Sequence, residues 1–457
     1  MPDVPPPAVP GYESWGRLPD APPARAVPVG WRHALPVQGG PGELLAYGRG
    51  RSYGDVCLNG GRTVLDTRGL DRAIAFDTQA GVLHAEAGMT LAEVLARIVP
   101  HGWFLPVTPG TKYVTLGGAV ANDVHGKNHH VAGTFGRFVT ELGLVRSVDT
   151  ETPDGVVPAG ERIAVRPGDP LFAATVGGLG LTGLITDVAL RLHAIETDQI
   201  RHTTTKFRSL DAFFELSEAA SARNPYVVAW LDVLRPEGRG LLMEGDHATR
   251  AELGPDAALP APGDAARPRL SVPVDAPSWA LGTWSVKAFN AAYYGRQRRR
   301  VAQSRGHYEP FFYPLDAVGA WNRGYGRRGF YQYQFVVPLS DGAAAVRDVL
   351  ARLAAARAGS FLAVLKTFGD VPSPGLLSFP MPGVTLALDL PNRGAETVRL
   401  LRACDAVVRE AGGRVYPAKD ACMTPESFRA FFPAWAELAA AADPAFSSTF
   451  WRRVTAD

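Results

Sequence analysis

The sequence predicts an α+β protein of two domains, and three observations lead there. A chain of 457 residues exceeds what one ordinary hydrophobic core organises, while an apolar content of 46% is ample for two. From Leu44 to Glu196, short strand-like segments surround a single amphipathic helix. Beyond about residue 195 the strands are longer, alternate strictly and are separated by helices, the pattern of an antiparallel sheet with helices packed on it.

Taken in order, residues 1–40 are rich in proline and glycine without periodicity and predict an irregular lead-in. LLAYGRGRSYGD reads as a short strand running into a glycine turn, TVLDTRGL as another strand and VLHAEAG as a third. Thr90 and Glu93 form a capping box that opens a helix over LAEVLARIV, ended by HGW and Pro106. Gly178, Gly180 and Gly183 match the dinucleotide fingerprint, but the following LITDVALRLHAIE alternates as a strand. A Rossmann loop must open a helix, so a nicotinamide site is not predicted. The second texture holds strands in YVVAWLDVL, GFYQYQFVVP, SFLAVLKTFG and GVTLALDLP, a helix in DGAAAVRDVLARLAAARAG, and a proline- and alanine-rich loop from Leu253 to Arg269 with few anchors. Near the C-terminus a strand and loop precede a helix capped by Thr424 with Pro425 at its first position. The predicted division is a cofactor domain over 41–195, a substrate domain over 196–404, and a return to the first domain over 405–457.

A formal charge of +2, with no basic run longer than Gly295 to Arg300 (GRQRRR), argues against nucleic acid as a partner. That run reads as a solvated helix end or a contact with phospholipid headgroups. Cys57, Cys404 and Cys422 lie far apart without a CxxC pair, which fits a reducing compartment. The proline-rich start has no signal-peptide pattern, and no apolar run reaches the ~20 residues of a bilayer span. A cytoplasmic protein, at most peripheral at a membrane face, is expected. Arginine outnumbers lysine 41 to 6, so the surviving Lys112, Lys127, Lys206, Lys287, Lys366 and Lys419 are candidates for sites that need an ammonium.

The most informative stretch is PGTKYVTLGGAVANDVHGKNHH, Pro109 to His130. Gly110, Gly117, Gly118, Ala119 and Ala121 leave main-chain N–H groups bare for a phosphate-bearing cofactor, and His125, Lys127, His129 and His130 follow at once. Asp123, His125, His129 and His130 cluster, but no further ligand recurs downstream and no metal is expected. Gln332 and Gln334 share one strand face, opposite Tyr331, Tyr333 and Phe335; two amides side by side bind sugar hydroxyls or form the wet face of an edge strand. Lys419, in RVYPAKDA, returns toward the cofactor with an ammonium, or pairs with Asp420.

GRGRSYGD with NGG four residues on, PGTKYVTLGGA, DVHGKNHHVAG and ATVGGLGLTG, in that order, resemble the vanillyl-alcohol-oxidase-type (PCMH-type) flavoproteins, which bind the FAD pyrophosphate with loops. Pro314 to Phe335 (PLD…WNR…QYQF), Leu377 to Gly383 (LSFPMPG) and Gly412 to Asp420 (GGRVYPAKD) narrow the resemblance to the decaprenylphosphoryl-ribose oxidases of actinobacterial arabinan synthesis. The resemblance implies FAD contacts at Gly48, Arg49, Gly50, Arg51, Ser52, Tyr53, Gly54 and Asp55. Further contacts follow at Gly110, Thr115, Leu116, Gly117, Gly118, Asn122, Asp123, His125, Ile185 and Tyr416. It implies a substrate pocket of Lys127, Trp230, Phe312, Gln332, Gln334, Lys366, Thr385 and Ala387, and catalysis by Lys419, Tyr53 and His125. Arg51 stands where covalent relatives carry the flavin-linked histidine, so non-covalent FAD is implied.

The implied reaction oxidises C2 of a polyprenylphosphoryl ribose, with a short-chain dehydrogenase/reductase partner completing the epimerisation. An aldonolactone or alditol oxidase on the same scaffold, a non-catalytic carbohydrate-binding flavoprotein and a metal hydrolase are the alternatives. Thr385 and Ala387 depart from the asparagine and cysteine of mycobacterial-type members, and Phe312-Tyr313 from their tyrosine-histidine.

Overall fold

The computed structural model describes residues 9–33, 36–235, 237–254, 260–262, 270–277 and 283–456. Most of the proline- and alanine-rich loop expected over 253–269 lies outside the described residues.

Three sheets carry the architecture. The first is a small parallel sheet in which Thr63–Asp66 lies between Arg25–Pro28 and Leu44–Tyr47. Arg25–Pro28 is the one strand among the described residues of the lead-in: four residues with both ends exposed are too short to show a period, and parallel pairing with Thr63–Asp66 orders them. The second is a five-stranded antiparallel sheet, Arg162–Val165, Val139–Val145, Leu184–Arg191, Val82–Glu86 and Ala73–Asp77 in spatial order. The helix Leu91–Ile98 packs five of its eight side chains into the core of this region, and its capping box forms as the spacing predicts, with Thr90 and Glu93 each bonding the other's backbone N–H. The glycine run before Leu184 does feed a strand and not a helix.

The third sheet has eight antiparallel strands, in the order Val301–His307, Gln199–Phe207, Gly240–His247, Tyr226–Leu231, Ala363–Phe368, Gly383–Pro391, Phe330–Val337 and Arg414–Val415. One face carries the helices Leu210–Ser221, Leu339–Ala355 and Ala395–Glu410 on a core that takes up Tyr333 and Phe335. Alternation then turns Gln332 and Gln334 to the opposite face, as their spacing requires. Thr424 caps the helix Pro425–Phe431 with proline at its first position.

Candidate active site

The strand Leu44–Tyr47 ends in a loop, Gly48 to Tyr53, that forms one rim of a cleft of about 1790 Å³. Among the described residues, the backbone N–H groups of Gly48 to Ser52 donate to no protein acceptor, whereas Tyr53 N–H donates to Ala418 O at 2.9 Å. Gly50 bends this run through φ +59, where a side chain would also collide with the Tyr47 hydroxyl and the Glu13 carbonyl. Successive unpaired amides around such a bend form an anion-binding concavity. This cradle fits a pyrophosphate.

Gly54 and Asp55, expected among the FAD contacts, do not line the cleft. Asp55 is 1% exposed and takes a two-pronged ion pair from Arg453, at 2.9 Å and 2.7 Å, while the same guanidinium bonds Asp420 at 2.9 Å. Gly54 lies so close to Asp420 O that a methyl group would overlap it. Both residues support the loop from below. Arg51 is clamped above it, its guanidinium 4.0 Å from the Trp15 ring and 5.4 Å from that of Tyr113.

The second glycine stretch works differently from its sequence expectation. Leu116 N–H donates to Met89 O, Gly117 N–H to Ala87 O at 2.8 Å, and Gly118 N–H to Thr115 Oγ1 at 3.2 Å, so these amides are not bare. Glycine is needed here for close approach: a Cβ on Gly117 would sit 3.0 Å from Ala87 Cβ. Gly110, Thr115, Gly117, Gly118, Asn122, His125, Ile185 and Tyr416 line the cleft, but Leu116 and Asp123 do not. Leu116 is core, and Asp123, at φ +38, accepts from Gly136 N–H at 2.8 Å and the Ser378 hydroxyl at 2.5 Å. Its carboxyl braces the loop, and burial raises its pKa to about 6.

The opposite wall is the polar face of the large sheet, with Lys127 and Phe312 beside it. Lys127 Nζ donates to Phe312 O at 3.1 Å, Lys366 Nζ to Gly126 O at 3.2 Å, and Lys419 Nζ lies 3.9 Å from the centre of the Tyr53 ring. Burial pushes Lys127 down to about 8, and Lys366 and Lys419 to about 7, the mutual repulsion of Lys366 with the other two adding to its own shift. Gln332 Nε2 donates to Asp389 Oδ1 at 2.6 Å, and burial raises Asp389 to about 7 against the pull of that bond and of Lys419. Gln334 Nε2 donates to His125 Nε2 at 3.0 Å and to Thr385 Oγ1 at 3.3 Å. His125 is held neutral by burial and by Lys366, with Nδ1 buried and unpartnered in the protein.

Trp230, Phe312, Gln332, Gln334, Lys366 and Ala387 all line this wall; Thr385 does not, because it sits behind the Gln334 amide. The other two histidines turn away: His129 packs 4.4 Å from the Phe368 ring and His130 bonds Asn224 O, and no group of three potential metal ligands forms among the described residues. Asp389 is the site residue that sequence reading did not single out. Its signal was present in GVTLALDLP, where alternation puts it on the face of Ala387. Trp15 gave no signal, since it stands in the lead-in. Lys419 is not paired with Asp420, whose carboxylate is taken by Arg453 and the N–H groups of Cys422 and Met423.

Residues 42–152 match the model of an FAD-binding domain family. Over 434 residues, 91% of this chain and 90% of the other, the sequence is 35% identical to decaprenylphosphoryl-beta-D-ribose oxidase of Mycolicibacterium smegmatis. It is also 36% identical over 393 residues, 80% of this chain, to the whole of a Streptomyces coelicolor protein described as uncharacterized, in the mprA 5' region. The amide cradle over Gly48 to Ser52 accounts for the cofactor half of that match, and with identity spanning nine-tenths of both chains the protein belongs to the decaprenylphosphoryl-beta-D-ribose oxidase family of FAD-dependent oxidoreductases.

Proposed function

We propose that the protein oxidises the C2 hydroxyl of a polyprenylphosphoryl ribose to the 2-keto sugar. The observation that carries this reading is the composition of one wall: three lysine ammonium groups for an anion and two amides beside a carboxyl for sugar hydroxyls, facing the amide cradle across the cleft. FAD, when bound, supplies the hydride acceptor. Lys366 and Lys127 hold the substrate phosphate. Gln332 and Gln334 orient the ribose hydroxyls, Gln334 being fixed from behind by His125 and Thr385. Lys419, with a pKa near 7, receives the hydroxyl proton in its amine form and as an ammonium offsets the charge that develops beside Tyr53. Trp230 and Phe312 form apolar wall against the sugar and lipid.

The cofactor is held without a covalent bond, because Arg51 is clamped by Trp15 and Tyr113 where covalent relatives carry histidine. The keto product passes to a short-chain dehydrogenase/reductase partner. The lipid tail keeps the enzyme at the membrane face as a peripheral protein; among the described residues no helix is long and apolar enough to cross a membrane. The test is anaerobic mixing of purified protein with synthetic farnesylphosphoryl-β-D-ribose. Bleaching of the flavin bands and a product lighter by two hydrogens are expected. Bleaching by a free alditol or aldonolactone, without bleaching by the phosphoryl ribose, would refute the proposal.

A further inference from the structure

The helix Thr283–Gly295 and the basic turn that follows it occupy the rim of the cleft and are not explained by the chemistry inside it. Phe289 and Tyr293 line the cleft from this helix and Arg296 from the turn just after it. Its outer side shows Trp284 at 85% exposure, with Lys287 Nζ 5.7 Å from that ring. Arg298, Arg299 and Arg300 follow, all exposed, and none of them pairs with a carboxylate among the described residues. A second apolar edge meets the same opening: Leu270 and Val274 are each 71% exposed, and Leu270 N–H is bonded to Ala317 O, a cleft residue.

An isolated exposed tryptophan needs no explanation. Here a tryptophan, two exposed aliphatics and a row of exposed arginines border the mouth of one cavity. Aromatic rings partition to the headgroup level of a bilayer, and basic side chains are drawn to anionic lipid. We infer that this rim is a docking surface for an anionic phospholipid bilayer, with Trp284 inserted at the headgroup level and Arg298 to Arg300 lying on the lipid phosphates. The inference rests on the lipid-linked substrate proposed above and identifies the surface that presents the cleft to the membrane.

The test is sedimentation of the FAD-loaded protein with two vesicle populations, phosphatidylcholine alone and phosphatidylcholine with an equal part of phosphatidylglycerol. The native protein is expected to sediment with the mixed vesicles, to stay in the supernatant with phosphatidylcholine, and to be released by high salt. Each basic residue at an anionic surface is worth roughly fivefold in partitioning, so Arg298→Gln/Arg299→Gln/Arg300→Gln together should lower it on the order of 100-fold. Trp284→Ser should lower it severalfold. A triple variant that sediments like the native chain overturns the inference, as does a native chain that binds neither vesicle, or one whose arginine row captures an RNA probe and no lipid.

Oxidation of the short-chain, water-soluble farnesyl substrate separates the two readings. Oxidation without vesicle binding sinks the surface and leaves the function; vesicle binding without oxidation supports the surface and sinks the function.

Discussion

Replacing Lys419 by alanine removes the one ammonium that touches the Tyr53 ring and faces Asp389. The contact with the ring, at 3.9 Å, is worth about 0.5–2 kcal/mol, but the ammonium also stood desolvated in the cleft wall, so the net loss of stability is small. The amide cradle is built from other residues, and FAD retention is expected. Catalysis is another matter. A single positioned acid–base group contributes typically 10²–10⁴-fold, or about 2.7–5.5 kcal/mol of barrier, and turnover should fall at least ~100-fold.

The pH profile sharpens the test. Lys419 lies near 7, below the ordinary lysine range, so its amine form appears as pH rises through about 7, and native turnover should rise there. Asp389, raised to about 7 by burial, ionises over the same range and adds to the rise. Lys366 loses its charge over the same range, through about 7, and Lys127 above it, through about 8, so KM for the phosphorylated substrate should climb as turnover rises and go on climbing beyond. In Lys419→Ala the lysine's share of the rising limb disappears, and loss of the cation shifts the remaining limb, that of Asp389, upward. Lys419→Met, which keeps the aliphatic stem against Tyr53, should behave alike if the nitrogen matters and recover if packing does. Stopped-flow reduction of the flavin across the neutral range measures all of this. A rate within tenfold of native, or an unmoved rising limb, would refute the role assigned to Lys419.

Acid precipitation should release free FAD into the supernatant, and yellow pellet protein would contradict the placement of Arg51. Gly50→Ala should lose FAD and cost at least ~1 kcal/mol of stability, since φ +59 and the neighbouring Tyr47 and Glu13 leave no room for a methyl group; bound flavin measured by absorbance ratio decides it. Arg453→Met strands Asp55 and Asp420 as buried carboxylates and should destabilise by about 3–5 kcal/mol, with cofactor loss preceding global unfolding in a thermal scan followed by flavin fluorescence. Ala387→Cys should become alkylated by iodoacetamide in a substrate-protectable manner, because Ala387 lines the cleft; resistance to the reagent would place that side chain elsewhere.

The fold was legible where a period or a cap writes itself into neighbouring residues. Thr90 and Glu93 declare a helix start, and the alternation of GFYQYQFVV puts Tyr333 and Phe335 on one face and Gln332 and Gln334 on the other, as found; that the second face borders a cleft and not solvent is not written in the alternation. Glycine content identified the cofactor region but not which amides stay free. Whether Gly117 N–H is spent depends on Ala87, some thirty residues earlier, and no local pattern encodes that pairing. The same holds for Asp123, whose partners Gly136 and Ser378 lie in separate segments, and for Asp389, which becomes part of the site only through the register that puts Gln332 opposite it. Thr385 shares a strand face with Ala387 yet is hidden, because a longer side chain on the adjacent strand covers it.

The support beneath the amide loop joins residues very far apart in the chain. Asp55 lies just past the first cofactor loop, and the guanidinium that steadies it belongs to Arg453, 398 positions later. A ribosome must therefore have made the chain as far as Arg453 before this loop acquires its underside. Until then a nascent molecule holds the loop glycines without the ion pair that lies beneath them. The underside of the loop is thereby a product of the whole fold and not of its own neighbourhood: it exists only once segments from the two ends of this sequence have met.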